Sequence, residues 1–215
     1  MAKLRSGILG PISGKINGHI TSSWKNVNYI KKAAAPNLKP KSDAQLAQQE
    51  KFKFANLLNK ALRPYVTTGF QHLAIDKTEM NLAFALNYKA VNGIYPDLSM
   101  DYSKVFISHG NLTPLQGLVM QRTGPQIIEL KWDLNYDDNA LLRFDDQVIL
   151  MVYCPATGIT EGFNGSYIRA AQKCSFRWGS RLKNHRLEIF VGVTAMNRKD
   201  AANSIYMGSI LPAEL

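Results

Sequence analysis

The chain has 215 residues, of which 46% are hydrophobic, and this content excludes an intrinsically disordered chain and predicts a folded core. No uncharged apolar run is long enough to span a bilayer, and two cysteines are too few for a disulfide scaffold or a zinc site of several thiolates. The net charge of +10 is unevenly distributed: residues 1–65 contain twelve basic and two acidic residues, whereas residues 66–215 contain fourteen of each. This asymmetry favours a polyanion-facing end joined to a neutral remainder. Alternatively, the lysines only keep a glycine-rich segment and one helix soluble.

The first forty residues predict short strands followed by a linker. Glycines recur at intervals of three or four between residues 7 and 18, which indicates bends or close approach of the backbone. Residues 19–30 have the composition of a strand or hairpin interrupted around Lys25 and Asn26. Residues 31–41 contain two prolines and several lysines, so we expect an extended basic linker.

Two helices are predicted next. The spacing of Ser42 and Gln45 is that of a capping box, and an apolar stripe continues from there to Pro64, where we expect the helix to end. A second helix is predicted over residues 77–92, because Asp76 and Glu79 form another capping pattern and a glycine follows at position 93.

The periodicity then changes from helical to alternating. A strand is predicted over residues 102–108, and seven more follow, bounded by glycine, proline and asparagine turns. We expect them at about 115–122, 126–133, 147–154, 163–169, 172–178, 186–195 and 203–211. The predicted fold class is therefore α+β: a basic amino-terminal module of strands and two helices over residues 1–112, then an antiparallel β-sandwich over residues 113–215.

Several motifs together resemble a protein family. They include Gly7 to Gly10, Ser23-Trp24-Lys25, residues 44–48, residues 101–105 and the closing residues 203–209. In this combination the chain resembles, over nearly its full length, an uncharacterised domain-of-unknown-function family of the Bacteroidota, and the resemblance implies no activity. The carboxyl-terminal half, with Trp132 on an early strand, is similar to fibronectin type III modules, which implies architecture only.

No set of residues points to catalysis, and we expect a non-enzymatic protein without cofactor or bound metal. Gly10 to Lys15 is one residue too short for a phosphate-binding loop. Asp133, Asn135, Asp137 and Asn139 alternate like calcium ligands, but the required glycine and glutamate are missing, so a solvated turn is the favoured interpretation. Asp145 and Asp146 are the acids that could complete a loose cation site there.

The amino-terminal lysines and aromatic residues predict a surface that neutralises phosphates and stacks on bases. Nucleic acid is the first candidate among anionic polymers. The candidate contacts are Lys15, Trp24, Lys25, Tyr29, Lys31, Lys32, Lys39, Lys41, Lys53 and Lys60. For Trp24 two interpretations stay open: a stacking contact, or a ring that packs against the glycine-rich strand.

A second basic group, of Arg169, Lys173, Arg177 and Arg181, is either a secondary patch or the charged side of an edge strand. Cys154 and Cys174 are expected as free thiols in the sandwich core of a cytoplasmic protein, since the basic first residues are not followed by a secretory apolar segment. The alternative function is structural: strand and sandwich-edge pairing that builds a homo-oligomer or a larger particle.

Overall fold

The computed structural model describes residues 12–24, 27–36, 40–134 and 143–212, together with the backbone of residues 3–4. It forms two compact units, residues 1–42 and residues 43–215. The division therefore falls after Ser42 and not at the expected residue 112. The reason is that side chains from residues 58–107 share a hydrophobic core with strands of the sandwich.

The first unit is an antiparallel sheet of four strands in sequential order: β1 (Lys3–Leu4), β2 (Ile12–Ile16), β3 (His19–Trp24) and β4 (Val27–Lys32). Asn17 and Gly18, with φ of 43° and 75°, form the two-residue turn between β2 and β3. Asn-Gly is favoured there because both positions of this turn need positive φ. The hairpin predicted over residues 19–30 is confirmed as β3 and β4, with Trp24 opposite Val27.

The second unit begins with helix α1 (Asp43–Gly69), which continues five residues beyond the predicted end at Pro64. A proline inside a helix removes one backbone hydrogen bond and costs about 3 kcal/mol. Leu62, Tyr65 and Val66 are all buried around it, and the packing of these side chains keeps the chain helical past the proline. Among the described residues, no helix is long and apolar enough to cross a membrane.

Helix α2 (Glu79–Asn87) is shorter than predicted and starts later. Its N-cap is Thr78, whose hydroxyl accepts a hydrogen bond from the backbone N–H of Asn81 at 3.2 Å. Past Asn87 the chain turns through a 3-10 segment, Tyr88–Ala90, into the two-stranded pair β5 (Val91–Asn92) and β6 (Ser99–Met100). The predicted continuation to residue 92 is therefore wrong.

The strand predicted over residues 102–108 is also absent: residues 102–104 form a 3-10 turn and residues 105–108 pair with no strand. Side chains satisfy this buried backbone instead. The N–H of Phe106 donates to Asn87 Oδ1 at 2.8 Å, and the N–H of Ile107 donates to Ser204 Oγ at 3.0 Å. Val105 and Ile107 are buried at alternate positions, as in a strand, but the backbone N–H groups of this segment donate to polar side chains and not to a neighbouring strand.

The remaining strands form the predicted antiparallel β-sandwich, which confirms the α+β fold class. One sheet has the order β11-β8-β7 and the other the order β10-β9-β12-β13. Their bounds are β7 (Gln116–Gly124), β8 (Ile127–Asp133), β9 (Gln147–Cys154), β10 (Ile159–Ile168), β11 (Lys173–Arg177), β12 (Leu187–Thr194) and β13 (Ile205–Ile210).

The four-stranded sheet is covered on both faces. One face of β9 and β12 packs against the three-stranded sheet, with Leu150, Ile189 and Trp132 in that core. The other face, with Met151 and Phe190, packs against α1. A sheet buried on both sides needs apolar residues at successive positions, and every residue of β12 is buried accordingly.

A buried ion pair closes one end of the sandwich. Arg169 Nη2 lies 3.2 Å from Asp146 Oδ2, and both side chains are at most 3% exposed. The guanidinium also donates to the carbonyls of Thr113 and Pro114, at 2.5 and 3.3 Å. The Arg169 carbonyl in turn accepts a hydrogen bond from Trp132 Nε1 at 2.7 Å, so the pair holds three loops to the core.

We predict that Asp146→Asn lowers the free energy of unfolding by about 3–5 kcal/mol, because it leaves the Arg169 charge buried without a counter-charge. Urea denaturation measures the change. The control is Lys131→Gln, which breaks the exposed pair with Glu129 at 3.0 Å and should change stability by less than about 1 kcal/mol. Equal effects of the two substitutions would contradict the assigned role of the buried pair.

The two cysteines lie in the sandwich core as free thiols, as predicted. Burial raises the pKa of Cys174 to about 11, so its thiol stays protonated near neutral pH.

We predict that neither cysteine reacts with a thiol reagent until the protein is unfolded. Ser175→Cys, on the exposed face of the same strand, supplies the reactive control. A Cys154–Cys174 bridge found by mass spectrometry of the native protein would refute this prediction.

Candidate nucleic-acid interface

The strand register places four predicted contacts on one face of the amino-terminal sheet. Residues directly opposite each other in antiparallel strands project to the same side. Lys15 lies opposite Ile20, and Ile20 lies opposite Lys31, so these three form a row across β2, β3 and β4. The next row on this side joins Ser22 to Tyr29, and the last joins Trp24 to Val27. We name this side, defined by Lys15, Trp24, Val27, Tyr29 and Lys31, the aromatic face.

The side chains of the aromatic face are accessible. Trp24 is 51% exposed and Tyr29 is 40% exposed, so a large part of each ring is open to a ligand, which favours the stacking interpretation of Trp24. Lys31 Nζ lies 6.0 Å from the centre of the Tyr29 ring, within reach of a cation–π contact. Residues 1–42 contain eight basic residues and no acid, and therefore no carboxylate of this unit competes for the lysines.

The opposite side of the sheet has a different character. Ile12, Ile16 and Ile30 lie on it and are all exposed, Ile30 at 72%. We name this side the isoleucine face. Lys32, opposite His19, also belongs to it, so the register separates Lys32 from Lys15 and Lys31. Among the described residues of this unit, only Thr21 is buried.

The other predicted contacts lie elsewhere. Lys25 and Lys39 fall outside the described residues. Lys41 precedes α1, and Lys53 and Lys60 lie on α1 in the second unit, where Lys53 pairs with Glu50 at 3.5 Å. Sequence reasoning missed Val27 as a member of the aromatic face. The signal that could have placed it is the Asn17-Gly18 turn, which sets the register of the whole sheet.

The secondary basic patch needs a correction. Arg169 is buried and is not a surface residue, because its guanidinium pairs with the Asp146 carboxylate in the interior. Lys173 and Arg177 are exposed on β11, an edge strand of the three-stranded sheet, and Arg181 is exposed on the following turn. The opposite side of β11 holds buried Cys174, as the alternation predicted.

The predicted calcium-like turn lies mostly outside the described residues, which omit residues 135–142. Asp146, the acid expected to complete it, is bound to Arg169 and to the backbone N–H of Arg143 at 3.2 Å. Burial raises the pKa of Asp146, which further disfavours its use as an exposed cation ligand. Within the described ranges, no group of three His, Cys, Asp or Glu side chains could hold a metal ion.

The aromatic face combines the two elements needed to hold a single-stranded polyanion. Exposed rings offer apolar faces on which bases stack, and the neighbouring ammonium groups neutralise phosphates. Trp24 and Tyr29 occupy diagonal positions on adjacent strands, since Tyr29 is two residues beyond the partner of Trp24. Side chains at such positions are separated by about 7–8 Å and remain within reach of one extended ligand.

Comparison with known proteins gives a family and a weak structural likeness. Residues 11–208 match a family described as a family of unknown function (DUF6266). No curated protein matches the chain. Among solved structures, the solution structure of the fn3 domain of human collagen alpha-1(XX) chain is similar, with 10% identity and a TM-score of 0.35, over 49% of this chain and 90% of that one.

Proposed function

Since this chain belongs to DUF6266, a family whose function is unknown, we propose a function from its own surface: it is a non-enzymatic protein that binds single-stranded nucleic acid. The observation that carries the proposal is the register of β2, β3 and β4, which places Trp24, Tyr29, Lys15 and Lys31 on one exposed face. The absence of acidic residues from residues 1–42 adds electrostatic attraction for phosphates.

The second unit contributes differently to this proposal. Outside α1 it contains fourteen basic and fourteen acidic residues, so its charge there is balanced. The proposed role of the sandwich is to carry the amino-terminal sheet. We extend the proposal to a Bacteroidota origin of the family and to cytoplasmic residence. The free, buried state of both cysteines supports a reducing compartment.

We predict that Trp24→Ala and Tyr29→Ala each weaken binding of a fluorescein-labelled single-stranded oligonucleotide by about 1–3 kcal/mol, the value of one base–aromatic stack. Fluorescence anisotropy measures the affinity. Ile30→Ala is the matched control, because Ile30 adjoins Tyr29 on the same strand, is also exposed and points to the other side of the sheet. Its affinity should stay within twofold of the unmodified chain.

A salt titration separates the lysines from the rings. Neutralising Lys15 and Lys31 together should reduce the slope of log K against log salt concentration by about 1.4, since each phosphate contact on a single strand contributes about 0.7. Neutralising exposed Lys173 and Arg177 on β11 should leave the slope unchanged. Two results would show that the aromatic face is not the binding surface. One is an equal reduction of the slope by the β11 substitutions, and the other is a loss of affinity in Ile30→Ala as large as that in Trp24→Ala.

The isoleucine face favours a second candidate function, assembly into a homo-oligomer or larger particle. A small sheet whose one described buried residue is Thr21 has little core of its own, and exposed apolar side chains on such a sheet mark an interaction surface. Pairing of this face with a neighbouring copy would bury Ile12, Ile16 and Ile30. The two functions are compatible because they use opposite sides of the sheet.

If the protein assembles through the isoleucine face, we predict that light scattering after size exclusion shows a multimer that survives nuclease treatment. The double variant Ile16→Lys/Ile30→Lys should be a monomer. The two lysines would place charge at the centre of the buried face. The corresponding control is Val27→Lys, an equally exposed apolar position on the aromatic face. A monomer at all concentrations, or a multimer lost with nuclease alone, would refute assembly through the isoleucine face.

A further inference from the structure

A cavity of about 730 Å³ opens beside α1, and all of its lining residues belong to the second unit. Its walls come from α1, from the segment around Met100 and Tyr102, and from the end of β9 with the turn at residues 155–158. A second cavity of about 300 Å³ adjoins it and shares Phe54 and Leu57 as walls. Cavities of this size accommodate small organic molecules.

The lining of the larger cavity is mostly apolar. Phe54, Leu57 and Leu58 form the helical side, and Leu57 is 63% exposed although it belongs to a helix that packs on a core. An exposed leucine in a concave surface favours an apolar ligand, because binding would remove the leucine side chain from water. The functions proposed above make no use of this surface.

Three polar groups face this apolar lining. They belong to Lys60, Tyr102 and Tyr153, which line the cavity and whose side chains have no hydrogen-bond or ion-pair partner among the described residues. The two tyrosine rings pack together, with centroids 6.0 Å apart. Burial raises the pKa of both phenols, so each remains protonated and can donate a hydrogen bond.

The nearest buried carboxylate is already neutralised. Glu188 is fully buried and accepts hydrogen bonds from Arg186 Nε at 2.7 Å and from the hydroxyl of Tyr206 at 2.5 Å. The Arg186 guanidinium therefore offsets part of its charge, and the ammonium of Lys60 supplies the positive charge for an anion in the cavity. Three donors with one positive charge, set in an apolar wall, match a carboxylate attached to an apolar body.

We propose that this cavity binds a small amphiphilic carboxylate, of the class of medium-chain fatty acids or aryl-alkyl acids. The apolar body lies against Phe54, Leu57 and Leu58, and the carboxylate accepts hydrogen bonds from the tyrosine hydroxyls and pairs with Lys60. This inference is independent of the aromatic face and of the isoleucine face, since its residues all lie in the second unit.

The test uses decanoate as the probe and the full chain as the protein, with isothermal titration calorimetry as the measurement. We expect saturable binding at one site. Leu57→Glu should weaken it at least tenfold, because it places a negative charge in the apolar wall. Leu46→Glu is the matched control: Leu46 is also an exposed leucine of α1, at 45%, but it does not line either cavity.

The carboxylate is tested separately from the apolar body. Lys60→Met should weaken decanoate about twofold to fivefold, the strength of a partly exposed ion pair, and leave 1-decanol unchanged. Lys173→Met, on β11, should change neither ligand. Thermal melts of all four variants establish that each is folded. No saturable binding, equal losses in Leu57→Glu and Leu46→Glu, or equal losses of decanoate and 1-decanol in Lys60→Met would each overturn the proposal.

Discussion

The second unit depends on one constraint: the central strands of the four-stranded sheet β10-β9-β12-β13 are covered on both sides. Its strands β9 and β12 are buried at nearly every position, between the three-stranded sheet and the helices. This two-sided burial supplies the energy that carries α1 past Pro64. It also explains why residues 43–107 belong to the sandwich, because removing the helices would expose Met151, Phe190 and their neighbours to water.

The amino-terminal sheet contrasts with this arrangement. Both of its faces are exposed, one with aromatic rings and lysines and the other with isoleucines. Such a sheet gains little from its own packing, so contacts with another molecule are the natural source of further burial. The two candidate functions follow from the two faces, and the cavity beside α1 is a third surface, supported by an independent core.

The candidate site was only partly predictable. Charge counting located the basic end, and residue type identified Trp24, Tyr29, Lys15 and Lys31. Which of them share a face depends on register, because a shift of one residue moves a side chain to the other side of the sheet. Arg169 could not be placed from the sequence: the other members of its predicted patch, Lys173, Arg177 and Arg181, are exposed, whereas its own counter-charge, Asp146, lies twenty-three positions earlier in the chain.

The sequence by itself determined the seven strands of the sandwich, the start of α1 and the concentration of charge in the first 65 residues, since periodicity and charge are local properties. Tertiary structure alone decided that residues 105–108 are not a strand, that α1 passes Pro64 and that Arg169 is internal. In each case the deciding partner is distant along the chain. The backbone of Ile107, for example, is satisfied by the hydroxyl of Ser204, ninety-seven positions away, and no local pattern contains that information.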